Sequence, residues 1–163
     1  MSSEFGKNLR ISIFGESHGA AIGVVVDGLP VGETVDLDAL AAFLARRAPG
    51  RNAMSTARKE TDAVRVLSGL YQGKTSGAPL CMVIENRNAH SNDYERLRHI
   101  PRPAHADYSA SVRYHDFSDP NGGGHFSGRL TAPLCAAGGV CLQILNRKGI
   151  VIGGHLSRCA GVD

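Results

Sequence analysis

The chain has 163 residues, 42% of them hydrophobic, which suits one domain, or part of a larger one, with a real core. A net charge of +3, with 18 Lys+Arg against 15 Asp+Glu and no dense basic run, argues against a nucleic-acid binder. No apolar run reaches the roughly 18 residues of a membrane span, so no membrane contact is expected. The polar, charged start shows no signal-peptide pattern. Cys81, Cys135, Cys141 and Cys159 form no C-x-x-C pair and three lie in apolar runs, which points to a reducing, cytoplasmic compartment.

Leu9 to Phe14 alternates apolar and polar residues as a strand does, and Ile22 to Val26 is a second, β-branched strand. The polar turn Gly15-Glu16-Ser17-His18-Gly19 joins them, so a hairpin with His18 exposed at its tip is predicted. Asp36 is placed to cap a helix carrying Leu37, Leu40, Ala41 and Leu44, ending at Arg46-Arg47-Ala48-Pro49-Gly50. Arg51 and Arg58 follow, and four arginines between positions 46 and 58 favour an anion site over simple compensation of the helix dipole. Val64 to Leu67 and Pro79 to Glu85 read as a second hairpin, with Gly73 to Gly77 as a turn. Its Gly-Lys-Thr is not a P-loop: Gly69 lies one residue too close, and a strand follows. Asn86 to Ser91 reads as loop and Asp93 to Leu97 as one helical turn.

The stretch from Arg102 to Pro133, RPAHADYSASVRYHDFSDPNGGGHFSGRLTAP, concentrates the polar chemistry. It holds His105, His115 and His125, the run Gly122 to Gly124, and two arginines, Arg113 and Arg129. A glycine loop running into a helix start leaves backbone N–H groups for an anion. Thr131 is expected to cap a helix with Leu134, Ala137, Gly138, Cys141, Leu142 and Leu145 on one face and apolar residues elsewhere, buried nearly all round. Ile150 to Ile152 is expected to begin a strand. The order does not alternate strand and helix, so the fold class is α+β, with antiparallel sheets packed on buried helices.

Histidine transfers protons near neutral pH, and arginine forks grip phosphate, so His18, His105 and the arginines describe proton transfer on a phosphorylated or carboxylated substrate. A zinc site at His115, Asp116 and His125 is the weaker rival, because no Cys/His spacing fits one. A dinucleotide fingerprint is absent, since Ser127 stands where its third glycine belongs.

Five spaced motifs, in order, resemble chorismate synthase. They are Gly15-Glu16-Ser17-His18-Gly19 with Val25-Val26-Asp27-Gly28-Leu29-Pro30; Arg46-Arg47-Ala48-Pro49-Gly50 with Thr56-Ala57-Arg58-Lys59-Glu60; Leu67-Ser68-Gly69; Arg102-Pro103-Ala104-His105-Ala106-Asp107; and the glycine loop. The resemblance implies the 1,4-anti elimination of phosphate from 5-enolpyruvylshikimate 3-phosphate to give chorismate. It also implies a requirement for reduced FMN, NADPH as a reductant of that flavin, and a homotetramer when full length. It implies catalytic roles for His18, at the leaving phosphate, and His105, at the flavin. It places Arg46 and Arg47 near substrate, with Arg47, His125, Phe126 and Ser127 near the flavin. The loop departs from the family's common Arg-Gly-Gly-Gly-Arg-Ser-Ser-Ala-Arg-Glu-Thr: Asn121 and His125 replace arginines, Phe126 a serine and Leu130 the glutamate. Ala53 occupies a further basic position. Family members are about twice this length, so residues 1–163 are expected to form a single N-terminal part of the domain, incomplete and without turnover. The alternative is a module that binds flavin or another anion without catalysis.

Overall fold

The computed structural model describes residues 3–47, 62–86 and 100–162. The predicted first hairpin forms as β2 (Arg10–Gly15) and β3 (Ala21–Asp27), preceded by a short β1 (Glu4–Phe5) that the sequence did not suggest. The second hairpin is β4 (Val64–Ser68) with β7 (Leu80–Glu85). Together they make one antiparallel sheet in the order β1-β2-β3-β7-β4.

Register explains which face is buried. Ile13 pairs with Val24, Val24 with Met82, and Met82 with Val66; Ile22 pairs with Ile84, and Ile84 with Val64. Side chains alternate along a strand, so these residues share one face. That face is covered by α1 (Leu37–Ala45) and α3 (Thr131–Arg147), giving an α+β fold of a sheet backed by helices. The core joins Val24, Val26, Leu80 and Met82 of the sheet to Leu40 and Leu44 of α1 and to Ala136, Ala137, Val140 and Ile144 of α3.

Asp36 caps α1 as expected, its carboxylate accepting from the Asp38 and Ala39 amides, both at 2.9 Å. The buried stripe is narrower than predicted, because Leu37 and Ala41 face solvent. In α3 the buried side is shifted from the predicted face: Pro133, Ala136, Gly139, Val140 and Ile144 pack inward together with Ala137 of that face, while Leu134 is exposed and Gly138, Cys141, Leu142 and Leu145 are half-buried. Thr131 is not the cap. Its hydroxyl donates to the Gly128 carbonyl at 2.6 Å, and a 3-10 turn, Gly128–Leu130, precedes the helix. Gly128–Arg147 is also long and apolar enough to cross a membrane by length and composition, contrary to the reading of the apolar runs. Here it is seated against β3, β7 and α1.

Three further expectations are corrected. Lys74-Thr75 is a strand, β6, paired with β5 (Leu70–Tyr71). Buried Thr75 fixes it, its hydroxyl donating to the Pro30 carbonyl at 2.6 Å and accepting from the Glu33 amide at 2.9 Å. Asp107–Tyr114, inside the polar stretch expected to be loop, forms a helix, α2. Ile150 to Ile152 forms no strand: the segment has no partner among the described residues and is exposed, Val151 at 86%. The turn expected at Asp93 to Leu97 lies outside the described residues.

The helices α1 and α3 approach closely at Gly139, where a Cβ would sit 2.6 Å from Leu40 Cδ1 and 3.0 Å from Phe43 Cδ1. Leu40 is fully buried and has nowhere to retreat. Gly139→Val should therefore destabilise the fold by about 1–3 kcal/mol, the usual cost of overpacking a core. Urea unfolding measures it, and an unchanged midpoint would refute the close approach.

Candidate active site

The β2–β3 connection carries His18 beyond one end of the strands. Its shape is held from two sides. The Ser17 amide donates to the Gly124 carbonyl at 3.1 Å, docking the hairpin tip on the glycine loop. Asn86, just after β7, donates its side-chain amide to the Glu16 carbonyl at 3.0 Å and to the Gly19 carbonyl at 2.9 Å. His18 is half-buried rather than exposed, so the predicted free tip is corrected.

The glycine loop is a 3-10 segment, Asn121–Phe126, in which Gly122, Gly123 and Gly124 all have positive φ. Gly122 is required by proximity as well as by φ, since a Cβ there would meet His18 Cε1 at 2.1 Å. A Cβ on Gly123 would lie 3.5 Å from Arg102 Nη2. The loop thus passes against His18 at one residue and faces Arg102 at the next. The expectation of free loop N–H groups fails at three positions. Asn121 donates to Asp119 Oδ1, Gly123 to the Pro120 carbonyl and Ser127 to the Gly124 carbonyl. His125 is a strut. Its Nδ1 lies 2.7 Å from the Gly15 carbonyl, which can only accept, so Nδ1 carries the proton; Nε2, 2.6 Å from Ser3 Oγ, accepts from that hydroxyl in the neutral ring. Phe126 packs toward Tyr114 with ring centroids 6.2 Å apart. Ser127 Oγ accepts from the Arg129 amide at 3.3 Å and keeps its own proton to donate.

The positive charge gathers around a carboxylate that the sequence reading did not single out. The Asp62 side chain is 1% exposed and is gripped by Arg47 on one oxygen and by Arg129, itself 7% exposed, on the other. Arg47 remains 24% exposed and reaches toward Thr131 Oγ1 at 3.4 Å, and Arg129 Nε points to Asn86 Oδ1 at 3.4 Å. A signal for Asp62 was present: a dense arginine cluster needs a counter-charge, and the nearest acids downstream are Glu60 and Asp62. Arg46 turns away, exposed over the Phe43 ring at 5.6 Å, and Arg113 is exposed over Tyr114. Arg51 and Arg58 lie outside the described residues. His105 is exposed in the turn before α2. Beside it Arg102 clasps Asp107 through Nε at 2.8 Å and Nη2 at 2.9 Å. Hydrogen bonding from Arg102 holds the Asp107 carboxyl down at about 2. Among the described residues no group of three or more His, Cys, Asp or Glu could hold a metal.

An α+β scaffold that brings His18, the Arg47–Asp62–Arg129 cluster and a positive-φ glycine loop to one end of its strands is the class of protein these features define. Residues 9–163 match the family model for chorismate synthase, and the chain belongs to that family. It is 46% identical to the chorismate synthase of Thermococcus kodakarensis over 97% of this chain and 44% of the relative. It is 45% identical to that of Lancefieldella parvula over 100% of this chain and 43% of the relative. A solved chorismate synthase crystal structure superposes with a TM-score of 0.62 at 28% identity, covering 88% of this chain and 36% of that one. The chain therefore spans less than half the length of these relatives.

Gly122→Ala should push the His18 ring out of place, because both the φ of +60° and the 2.1 Å approach oppose a methyl group. A shifted His18 ring signal by NMR is expected; an unmoved one would show that the loop does not seat His18. The Arg102–Asp107 clasp sets a pH dependence. The carboxyl titrates at about 2 in the fold against 3.8 ordinarily, so its stabilisation is present above pH 3.8 and is lost as pH falls toward 2. Arg102→Ala should return the Asp107 titration to about 3.9. A value still near 2, read from carboxyl carbon shifts, would assign the effect elsewhere.

Proposed function

We propose that these residues supply the histidine and arginine part of a chorismate synthase site, as the N-terminal part of that domain. The reaction is the loss of phosphate from C3 of 5-enolpyruvylshikimate 3-phosphate together with a C6 hydrogen, leaving chorismate. One observation carries the reading: the glycine loop passes against the His18 ring at Gly122, where a Cβ would meet it at 2.1 Å, and turns its next residue toward Arg102, three positions before His105. His18 offers a proton to the departing phosphate oxygen, and a cationic field at that oxygen lowers the barrier further. Two guanidiniums on one carboxylate leave a net positive charge, and Arg47, the more exposed, turns it toward substrate. Arg46, free of the cluster, reaches substrate only from solvent.

The loop residues fit a flavin phosphate in part. The Ser127 hydroxyl has a proton to give, Gly128 has open space where a Cβ would stand, and Phe126 presents a ring. His125 braces this wall, since both its ring nitrogens are engaged within the chain. Reduced FMN, when bound, supplies the electron chemistry of the elimination, with NADPH as the source of its reduction. His105 holds a proton toward that group. The setting is a cytoplasmic biosynthetic pathway to aromatic amino acids, and the full-length assembly is a homotetramer.

The test is an anaerobic mixture of the chain, enolpyruvylshikimate phosphate and reduced FMN, following chorismate absorbance beside the Thermococcus kodakarensis relative. Turnover needs every group held in mutual geometry, whereas binding survives with part of a site. The expected result is calorimetric binding of the phosphate ligand with turnover below about a tenth of the relative's. Full turnover would make these residues a sufficient site. Absence of any binding would refute the proposal and its alternative, an anion-binding module without catalysis.

A further inference from the structure

We propose that Asn86 is a positioning residue that holds the His18 turn and Arg129 in one geometry, so that an anion reaching the arginines is presented to His18. The inference rests on the anion-site reading above. Asn86 sits where β7 ends, and its backbone amide donates to the Ala20 carbonyl at 3.1 Å, closing the base of the turn. Both hydrogens of its side-chain amide are used on the carbonyls of Glu16 and Gly19, which flank Ser17 and His18. Its Oδ1 is left to accept from Arg129 Nε, and Arg129 is fixed in turn on Asp62 with Arg47.

The orientation of this amide follows from its partners. Flipped, Oδ1 would face two carbonyl oxygens and the NH2 would face a guanidinium, leaving no hydrogen bond on either side. No other side chain of this size does the same work. Aspartate accepts from Arg129 but has nothing to donate to the turn; serine has one hydrogen for two carbonyls; leucine has none. The residue therefore joins the proton donor of the site to its anion-binding charge through a single planar group. That link is distinct from the Ser17–Gly124 contact, which docks the turn on the glycine loop without touching the arginines.

The experiment uses the chain itself with inorganic phosphate as the probe, comparing the wild type with Asn86→Asp and Asn86→Ala. Asn86→Asp keeps the shape and the acceptor toward Arg129 but loses both donors to the turn. Without any ligand, the Ser17 and Gly19 amides should exchange about tenfold faster in both variants, while the Val24 amide in the sheet keeps its rate. With phosphate, Asn86→Asp puts a carboxylate beside Arg129 that offsets the cluster's positive charge, so binding at the Arg129 side-chain signal should weaken and the His18 ring signal should no longer respond. Asn86→Ala should lose both responses. Exchange at Ser17 and Gly19 within about twofold of wild type in both variants would overturn the proposal. So would equal acceleration at Val24, which would make Asn86 a residue of general stability. If wild type shows no phosphate response at either residue, the anion-site reading fails, and the ligand-free exchange still decides the role of Asn86.

Discussion

The arrangement depends on one buried carboxylate. Asp62 enters β4 with its side chain sealed from water, and a carboxylate there costs several kcal/mol unless it is paired. Arg47 at the end of α1 and Arg129 ahead of α3 meet one oxygen each. Three segments far apart in sequence are thereby pinned at one end of the strands. The pairing also explains how two guanidiniums stand together: each faces the shared acid, and their mutual repulsion is offset by it. What remains is a single positive charge, partly open to solvent through Arg47, in surroundings less screened than bulk water. Such a residue of charge is what an anionic substrate can use.

The glycine loop has a different task from the one its composition suggests. A run of glycines before a helix invites the idea of a nest of free amides, but Asn121, Gly123 and Ser127 spend theirs inside the loop. The glycines are needed because the backbone passes almost in contact with the His18 ring and with the Asp119 carbonyl, where a Cβ on Gly124 would lie at 2.2 Å. The loop is a thin spacer that lets the His18 turn, the Arg102–Asp107 clasp and the start of α3 come close together. The cationic field belongs to side chains, and the loop sets their spacing.

What could be read from the sequence was local. Alternation gave β2, a β-branched run gave β3, and a carboxylate ahead of a leucine stripe gave α1, because in each case neighbours along the chain decide the structure. Where partners decide it, the reading failed. Ile150 to Ile152 has strand propensity but no strand to pair with among the described residues. The helix Asp107–Tyr114 buries only Ala110, so no apolar period announced it; the clasp of Arg102 on Asp107 at its first turn anchors it instead. In α3 both faces are apolar, and periodicity alone does not choose between them. The small residues Ala136 and Gly139 chose the inward side because they let α1 approach. The site divides in the same way. His18, Arg47 and the glycines stood out by residue type, whereas Asp62 and Asn86 are ordinary residues made important by what they touch.

Leu130 shows how site and core are joined. It is 8% exposed and packs with Ile22, Ile84 and Ala132. A charge in that cluster would need a partner; an aliphatic side chain contributes roughly 1.5–3 kcal/mol by burial alone. The start of α3 is therefore held by apolar packing against β3 and β7, with no ion pair needed at that position. Arg129 is the next residue back along the chain, so its path to Asp62 is set by how Leu130 seats. In this chain the direction of Arg129 is coupled to an apolar contact on the buried face of the sheet. A substitution among Ile22, Ile84 or Leu130 would then be felt at Arg129 before it was felt in the fold as a whole.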